Sequence, residues 1–398
     1  MSASTEFRWD EFAGEWTFDP GVTYLNHGSF GPPADVVRRD RERWSEALAR
    51  NPMDFFLREL EPALDSAADR LGSLVGCRGE DLVFVPNATT AMNIVAENLT
   101  LGPGDEVLLN DHEYGAVIRI WGRACGAVGA RTVLAPTPRD LSTPDQLVDA
   151  IFDRVTPQTR LIVVSHVTSA SGLVFPVEEI CRRARERKIP VCIDGPHAIA
   201  MREVGIRDLR CDFYCGSLHK WLAAPFGAGF LYVAGSRKPG LSPNLLSWGR
   251  SLGGRPATWK DEFHWVGTAD FAPYLAVPAA VDFLERVGLD RFRRQTHALA
   301  RLARLKIVQE LDGEPISPDS DAWYGSMTTV RLPWVAARAA FPNAFHPLQK
   351  FLWDEAKIEI PVVCWRDEIH LRVSCHLYNA PEQLDRLIET VRRWRTTQ

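Results

Sequence analysis

Between residues 161 and 194 the chain reads Leu-Ile-Val-Val-Ser (161–165), then Val-Glu-Glu-Ile-Cys-Arg-Arg-Ala-Arg-Glu-Arg (177–187), then Val-Cys-Ile-Asp (191–194). The outer runs are short, apolar and rich in β-branched residues, as strands buried on both faces are. The middle run sets its apolar residues at helical spacing. Strand, helix and strand in this order make a parallel crossover unit. The alternation extends both ways. Strand candidates are Leu82–Val85, Glu106–Leu109, Thr132–Leu134, Leu161–Ser165, Val191–Asp194, Asp212–Cys215 and Gly229–Val233. Helical patterns at Ala91–Leu99, Ala116–Ala127, Pro144–Arg154 and Val177–Arg187 lie between most of them. Ser142-Thr143-Pro144 reads as a cap followed by proline in the first turn. These elements predict an α/β domain around a mostly parallel, seven-stranded sheet covered on both faces.

The flanks differ. Pro33–Asn51 and Ala63–Val75 read as helices, and Arg237–Pro256 reads as a Gly/Pro/Ser-rich loop. Helices are expected at Val277–Val287 and from Asp290 to Leu311. The last hundred residues set two short strands, Met327–Leu332 and Ile369–Val373, among helices at His346–Ala356 and Pro381–Trp394. That is an α+β pattern. The expected division is a large α/β domain over 20–287 and a smaller α+β domain over 288–398, with 1–19 packing as an N-terminal segment.

Composition narrows the function classes. The chain has 398 residues, 45% hydrophobic, enough for a sizeable core. Its 46 basic and 51 acidic residues leave a net charge of −5, which argues against a nucleic-acid binder driven by phosphate neutralisation. Met1–Glu15 holds no apolar run, and the longest apolar stretches are strand-sized, so neither a leader nor a membrane span is expected. Eight cysteines without Cys-x-x-Cys, and no His-Glu-x-x-His, suggest reduced thiols in a cytoplasmic protein without a metal site. Of the 13 tryptophans, Trp121, Trp221 and Trp265 are expected in the core or along a pocket.

Ligands of open α/β sheets bind beyond the carboxyl ends of the strands. Asn87-Ala88-Thr89-Thr90 follows the first strand and opens a helix. Its free N–H groups make an anion site, although taken alone the segment reads better as a plain Thr or Asn cap. Asp111-His112-Glu113-Tyr114, His166-Val167-Thr168-Ser169, Asp194 with His197, and Ser217-Leu218-His219-Lys220-Trp221 follow four others. Asp194 ends a strand that must be buried, so its carboxylate needs a cationic or hydrogen-bonding partner. A lysine on a neighbouring strand can form a Schiff base with a carbonyl compound. Anion site, carboxylate and amine together match pyridoxal phosphate.

The chain from Tyr24 onward resembles the class V aminotransferases, fold-type I enzymes dependent on pyridoxal 5′-phosphate. The matching segments are Tyr-Leu-Asn-His-Gly-Ser (24–29), Met-Asp-Phe-Phe-Leu-Arg-Glu (53–59), Asn-Ala-Thr-Thr-Ala (87–91) and Ser-His-Val-Thr-Ser (165–169). Asp-Gly-Pro-His (194–197), Ser-Leu-His-Lys-Trp (217–221), Gly-Thr (267–268) and Arg-Val-Ser-Cys-His-Leu-Tyr-Asn (372–379) complete them. The resemblance implies that Lys220 carries the cofactor and then acts as base at Cα. It implies that Asp194 holds the pyridine nitrogen, and that Ala88, Thr89, Ser217 and His219 cup the phosphate. Tyr114 falls at the ring-stacking position, often His in the family. His197 and Ser169 fall near the ring hydroxyl, with Ser169 standing where desulfurases carry Asn. Arg372 is similar to the arginine that takes the substrate carboxylate, while Asn26, His27 and Arg58 fall at the substrate entrance. Thr268 resembles a residue that reaches the neighbouring subunit's phosphate, which implies a homodimer.

Two features bear on the reaction. Gly249-Arg250-Ser251-Leu252-Gly253 fits a hydrolase string, but that motif needs a strand before it and a helix after it. Cysteine desulfurases carry a nucleophilic thiol on a His-Cys loop, which is missing here; Cys364 stands in Pro-Val-Val-Cys-Trp-Arg-Asp, and Cys375 lies further on. Both read as packed thiols. Segments 53–59 and 265–270 resemble the isopenicillin N epimerase-like branch of the family. That implies epimerisation at Cα of a small amino acid or aminoacyl substrate. A C–S lyase acting on an S-substituted cysteine, or a transaminase, is the alternative.

Overall fold

A computed structural model describes residues 7–335 and 345–397; residues 1–6 of the expected N-terminal segment lie outside the described residues. All seven expected strands form one sheet. Its order is Leu82–Val85, Gly229–Val233, Phe213–Ser217, Val191–Asp194, Thr159–Ser165, Glu106–Asn110 and Arg131–Ala135. Only Gly229–Val233 runs against its neighbours. Val191–Asp194 is therefore the central strand. Five of the strands are buried at every residue, which is why they read as unbroken apolar runs. The edge strand Arg131–Ala135 is partly exposed. Trp121 and Trp221 are fully buried, whereas Trp265 is half-buried.

Local chemistry moves several helix ends from their expected places. The helix after the first strand starts at Ala88, three residues early, because the Asn87 side chain accepts the Thr90 N–H at 2.9 Å. The helix Asp145–Phe152 is not capped by Ser142 or Thr143. Instead Gln146 Oε1 accepts the N–H groups of both, at 2.7 and 3.0 Å. Segment 53–59 contains a π-helical turn, Phe55–Glu59, that leads into the helix Leu60–Val75. Phe56 there packs edge-on against Trp265, with ring centres 5.3 Å apart.

The C-terminal part holds a four-stranded antiparallel sheet rather than two isolated strands. Its order is Val362–Trp365, Glu368–Ser374, Met327–Arg331, Glu314–Pro315. The hairpin joining Val362–Trp365 to Glu368–Ser374 escaped the sequence reading because its turn carries no glycine or asparagine. Arg366 and Asp367 both take positive φ, at 53° and 58°. The Arg366 guanidinium offsets that strain by bonding Asp111 Oδ2 at 2.8 Å and the Thr137 carbonyl at 2.6 Å, across to the large sheet. Near the N-terminus, Thr23–Tyr24 pairs in parallel with Ile358–Glu359, and Asn26 bridges to Ser374. Leu25 is thus buried in a core with Leu299, Leu371 and Leu387, separate from the cores on the large sheet.

Central-strand packing leaves no room for one methyl group at Gly216. A Cβ there would lie 2.2 Å from the Phe230 ring on the adjoining strand. Gly216→Ala should destabilise the protein by about 1–3 kcal/mol, from overpacking. Thermal melting checks this, and an unchanged midpoint would show the packing argument to be wrong.

Candidate active site

Beyond the carboxyl ends of the parallel strands lies a cavity of about 320 Å³. Ala88 and Thr89 reach it from the helix after Leu82–Val85, and Tyr114 from the turn after Glu106–Asn110. Ser169 reaches it from the loop after Thr159–Ser165. Asp194 and His197 come from the central strand, and Ser217, His219 and Lys220 from the strand beside it. Nine residues picked out from the sequence therefore face one space.

Asp194 is buried, and no hydrogen bond reaches its carboxylate from the described residues. Burial pushes its pKa up to about 6, partly countered by Lys220. Lys220 Nζ lies 2.7 Å from His197 Nε2. Burial and the Arg372 charge hold the amine down to about 7, against the pull of Asp194. The Ser217 hydroxyl accepts the Ala88 N–H at 2.8 Å and ties the helix start to the lysine loop. Of the first N–H groups of that helix, Ala88 is taken by Ser217 and Thr90 by Asn87, which leaves the Thr89 N–H, at a helix start lining the cavity, for an anion. His219 is held neutral, its pKa near 4, by burial and by Lys220.

Five expected site residues lie elsewhere. Arg372 is buried just behind the cavity on Glu368–Ser374. It donates to the Ser169 carbonyl (2.5 Å), Ser29 Oγ (2.5 Å) and Asn26 Oδ1 (3.2 Å), while its Nε has no partner. Ser29 lines the cavity, so one side chain separates Arg372 from it. Asn26 therefore braces Arg372 and does not face the cavity. His27 is not at an entrance. It is fully buried behind the lysine, bonded through Nε2 to the Lys220 carbonyl (3.0 Å) and through Nδ1 to Tyr378 Oη (2.8 Å). The rings of Trp221, His376 and Tyr378 pack around it, which no spacing in the sequence reveals. Thr268 is exposed and outside the cavity of its own chain. Arg58 is exposed and paired with Asp54.

Sequence reasoning passed over Glu113, one residue before Tyr114. It is buried beneath Asp194, accepting the Ser165 N–H (2.7 Å), the Ser165 hydroxyl (2.6 Å) and the Asn110 amide. Ser165 is the register partner of Asp194. An acidic residue just after a buried strand was the available signal. The rival motifs fall away. Ser251 sits in a loop and donates to Glu61 Oε2 at 2.6 Å. Cys375 is buried as expected, but Cys364 is exposed on the outer strand of the small sheet and not packed; neither lines the cavity.

This arrangement belongs to a known class. The family model described as Aminotransferase class-V matches residues 33–387. Isopenicillin N epimerase from Amycolatopsis lactamdurans is 37% identical, over 96% of this chain and 98% of its own. That from Streptomyces clavuligerus is 34% identical, over 96% and 97%. A cystine C-S lyase solved with cysteine persulfide superposes with a TM-score of 0.78 at 21% identity, over 93% of this chain and 97% of its own. The chain belongs to the class V aminotransferases, and it is a pyridoxal 5′-phosphate-dependent enzyme.

The residues present fit that cofactor. An unpartnered buried carboxylate suits a protonated ring nitrogen, an amine held near neutrality suits an aldehyde, and a helix start suits a phosphate.

Glu113 gives a pH-dependent test. Burial and Asp194 raise its pKa to about 8. The folded state thus binds a proton that the unfolded chain releases above its ordinary value near 4.5. Stability attributable to this group is full below pH 4.5 and falls as pH rises to 8. Glu113→Gln mimics the protonated form and should remove that fall. Melting curves of parent and variant should separate progressively between pH 5 and 8, in the variant's favour by up to about 5 kcal/mol at the upper end. Curves that stay parallel would refute it.

Proposed function

We propose that the protein inverts Cα of a small amino acid or aminoacyl substrate. The observation that carries this reading is the placing of two proton-carrying groups on either side of Asp194. Lys220 follows the strand on one side of Val191–Asp194, and Tyr114 follows the second strand on the other. Three strand spacings, roughly 14 Å at the sheet, separate their origins, so the two side chains enter the cavity from opposite flanks. Similarity to two epimerases over nearly the whole chain supports the same reading.

Each residue then has a task. When bound, pyridoxal phosphate supplies an electron sink that makes the Cα hydrogen of an attached amino acid acidic. Asp194 holds the positive ring nitrogen with its otherwise unpartnered carboxylate. Ala88, Thr89, Ser217 and neutral His219 donate hydrogen bonds to the phosphate. Lys220 carries the cofactor and, once released by the substrate's amine, takes the Cα proton on Nζ as a free base. Tyr114, 52% exposed at the cavity mouth, returns a proton to the opposite face. Arg372 pairs the substrate carboxylate with its planar fork, exchanging its bonds to Ser29 and the Ser169 carbonyl for it.

The functional unit in this reading is a homodimer. Phe30 and Tyr114 leave large apolar surface exposed at the mouth, and Phe226 leaves more beside His219. A second copy covering them would bring Thr268 to the neighbouring phosphate. Sedimentation at micromolar concentration should give a dimer, and a stable monomer that retains cofactor would refute it.

One experiment tests the reaction: holoenzyme with candidate amino acids in heavy water. Deuterium at Cα with formation of the enantiomer is expected. Pyruvate with a released thiol would instead establish a lyase, and accumulation of the pyridoxamine form a transaminase. Lys220→Ala should abolish turnover, a loss of at least about a thousandfold, while some cofactor remains in the phosphate cup. Cys364→Ala should leave most activity, and a persulfide trapped on Cys364 would restore a desulfurase reading.

A further inference from the structure

Trp221 follows the lysine directly, and its fully buried indole touches no substrate space. Its Nε1–H points at His197 Nδ1, 3.3 Å away. An indole nitrogen can only donate, so Nδ1 must carry a lone pair. A neutral imidazole with a bare Nδ1 has its proton on Nε2. That Nε2 lies 2.7 Å from Lys220 Nζ. A donor on Nε2 requires an acceptor opposite it. The amine is an acceptor only without its third proton, since an ammonium has no lone pair. The indole also excludes the imidazolium, whose second N–H would confront the indole N–H.

We propose that Trp221 is a positioning residue that fixes His197 in the Nε2–H tautomer and thereby holds Lys220 as the free amine. This inference rests on the reading that Lys220 carries the cofactor. Every neighbour of the amine enters the balance. Asp194 favours the ammonium, while Arg372 and burial oppose it, and the adjacent His219 is itself neutral. Arg372 and burial act whatever tautomer His197 adopts. The Trp221 bond removes the one local alternative, in which a bare Nε2 would accept from an ammonium. The indole is held in turn by its surroundings: His27 and His376 lie against it, with ring centres at 5.4 and 6.5 Å. Their Nε2 atoms bond the backbone carbonyls of Lys220 and Trp221.

The test uses the full chain stripped of cofactor. Pulsed reductive methylation from pH 6 to 9, read at the Lys220 peptide by mass spectrometry, reports the free amine. Capture of added pyridoxal phosphate, followed by absorbance over the same range, is a second readout. Trp221→Phe keeps the ring and removes the N–H. It should move the Lys220 midpoint upward by about one unit, so that labelling at pH 6.5 slows about tenfold. His197→Ala should also raise the midpoint, and Trp221→Phe added to it should bring no further change. An unchanged profile in Trp221→Phe, or a full additive shift in the double variant, would overturn the proposal. If Trp221→Phe does not fold, nitrogen-15 spectra of the parent decide, with His197→Ala assigning the signal: an Nε2–H imidazole supports the lock, and Nδ1–H or imidazolium refutes it. Borohydride fixation of the cofactor to another lysine would sink the functional reading alone, because the Lys220 profile needs no cofactor.

Discussion

Asp194 ends the central strand with a carboxylate that is buried and meets no hydrogen-bond donor among the described residues. Leaving such a group unpaired costs folding free energy, so its surroundings have to tolerate the cost until a cation arrives. The sheet supplies that tolerance. Of the strands on either side, Phe213–Ser217 is buried along its length and Thr159–Ser165 everywhere but Arg160, and their cores fix the backbone whatever the cleft contains. A second acid, Glu113, sits beneath it; burial and Asp194 disfavour its ionisation, while three donated hydrogen bonds partly offset them. Stability that the fold could have gained with an apolar residue at position 194 is given up for a binding group. That is the usual trade at a functional site.

The large sheet was legible because burial on both faces makes a strand an unbroken apolar run, and five of the seven have that character. Element ends were less so. Asn87 starts one helix as an ordinary cap three residues ahead of its apolar pattern, and Gln146 reaches back from inside another to hold the two residues expected to cap it. The small sheet was half-hidden because Arg366 and Asp367 form a turn that composition does not announce. The turn is held by Asp111, which is more than 250 positions away in the sequence.

At the site, the strand-end rule found what faces the cavity, since strand ends can be counted along the chain. It could not find what stands behind. His27 looks like an exposed polar residue in a loop, yet the fold wraps Trp221, His376 and Tyr378 around it. Arg372 carries a family signature, but its bonds to Ser29 and Asn26 depend on a bridge between segments 346 positions apart. Such groups become visible only once distant segments are brought together.

The segment from Thr23 to Ser29 has a consequence for the order in which the enzyme is made. It emerges from the ribosome first, yet its strand partner is Ile358–Glu359, and His27 bonds Tyr378 across 351 positions. The central sheet, complete by Val233, can form while this segment still waits for its partners. Closing a loop of that size carries an entropic cost that grows only slowly with length, but it cannot begin before the last strand exists. The cleft is therefore finished only once Tyr378 has been made. Until then a nascent chain has the strand that bears Asp194 but not the buttress behind the Lys220 carbonyl, so a finished cleft waits on a segment made long after Lys220 itself.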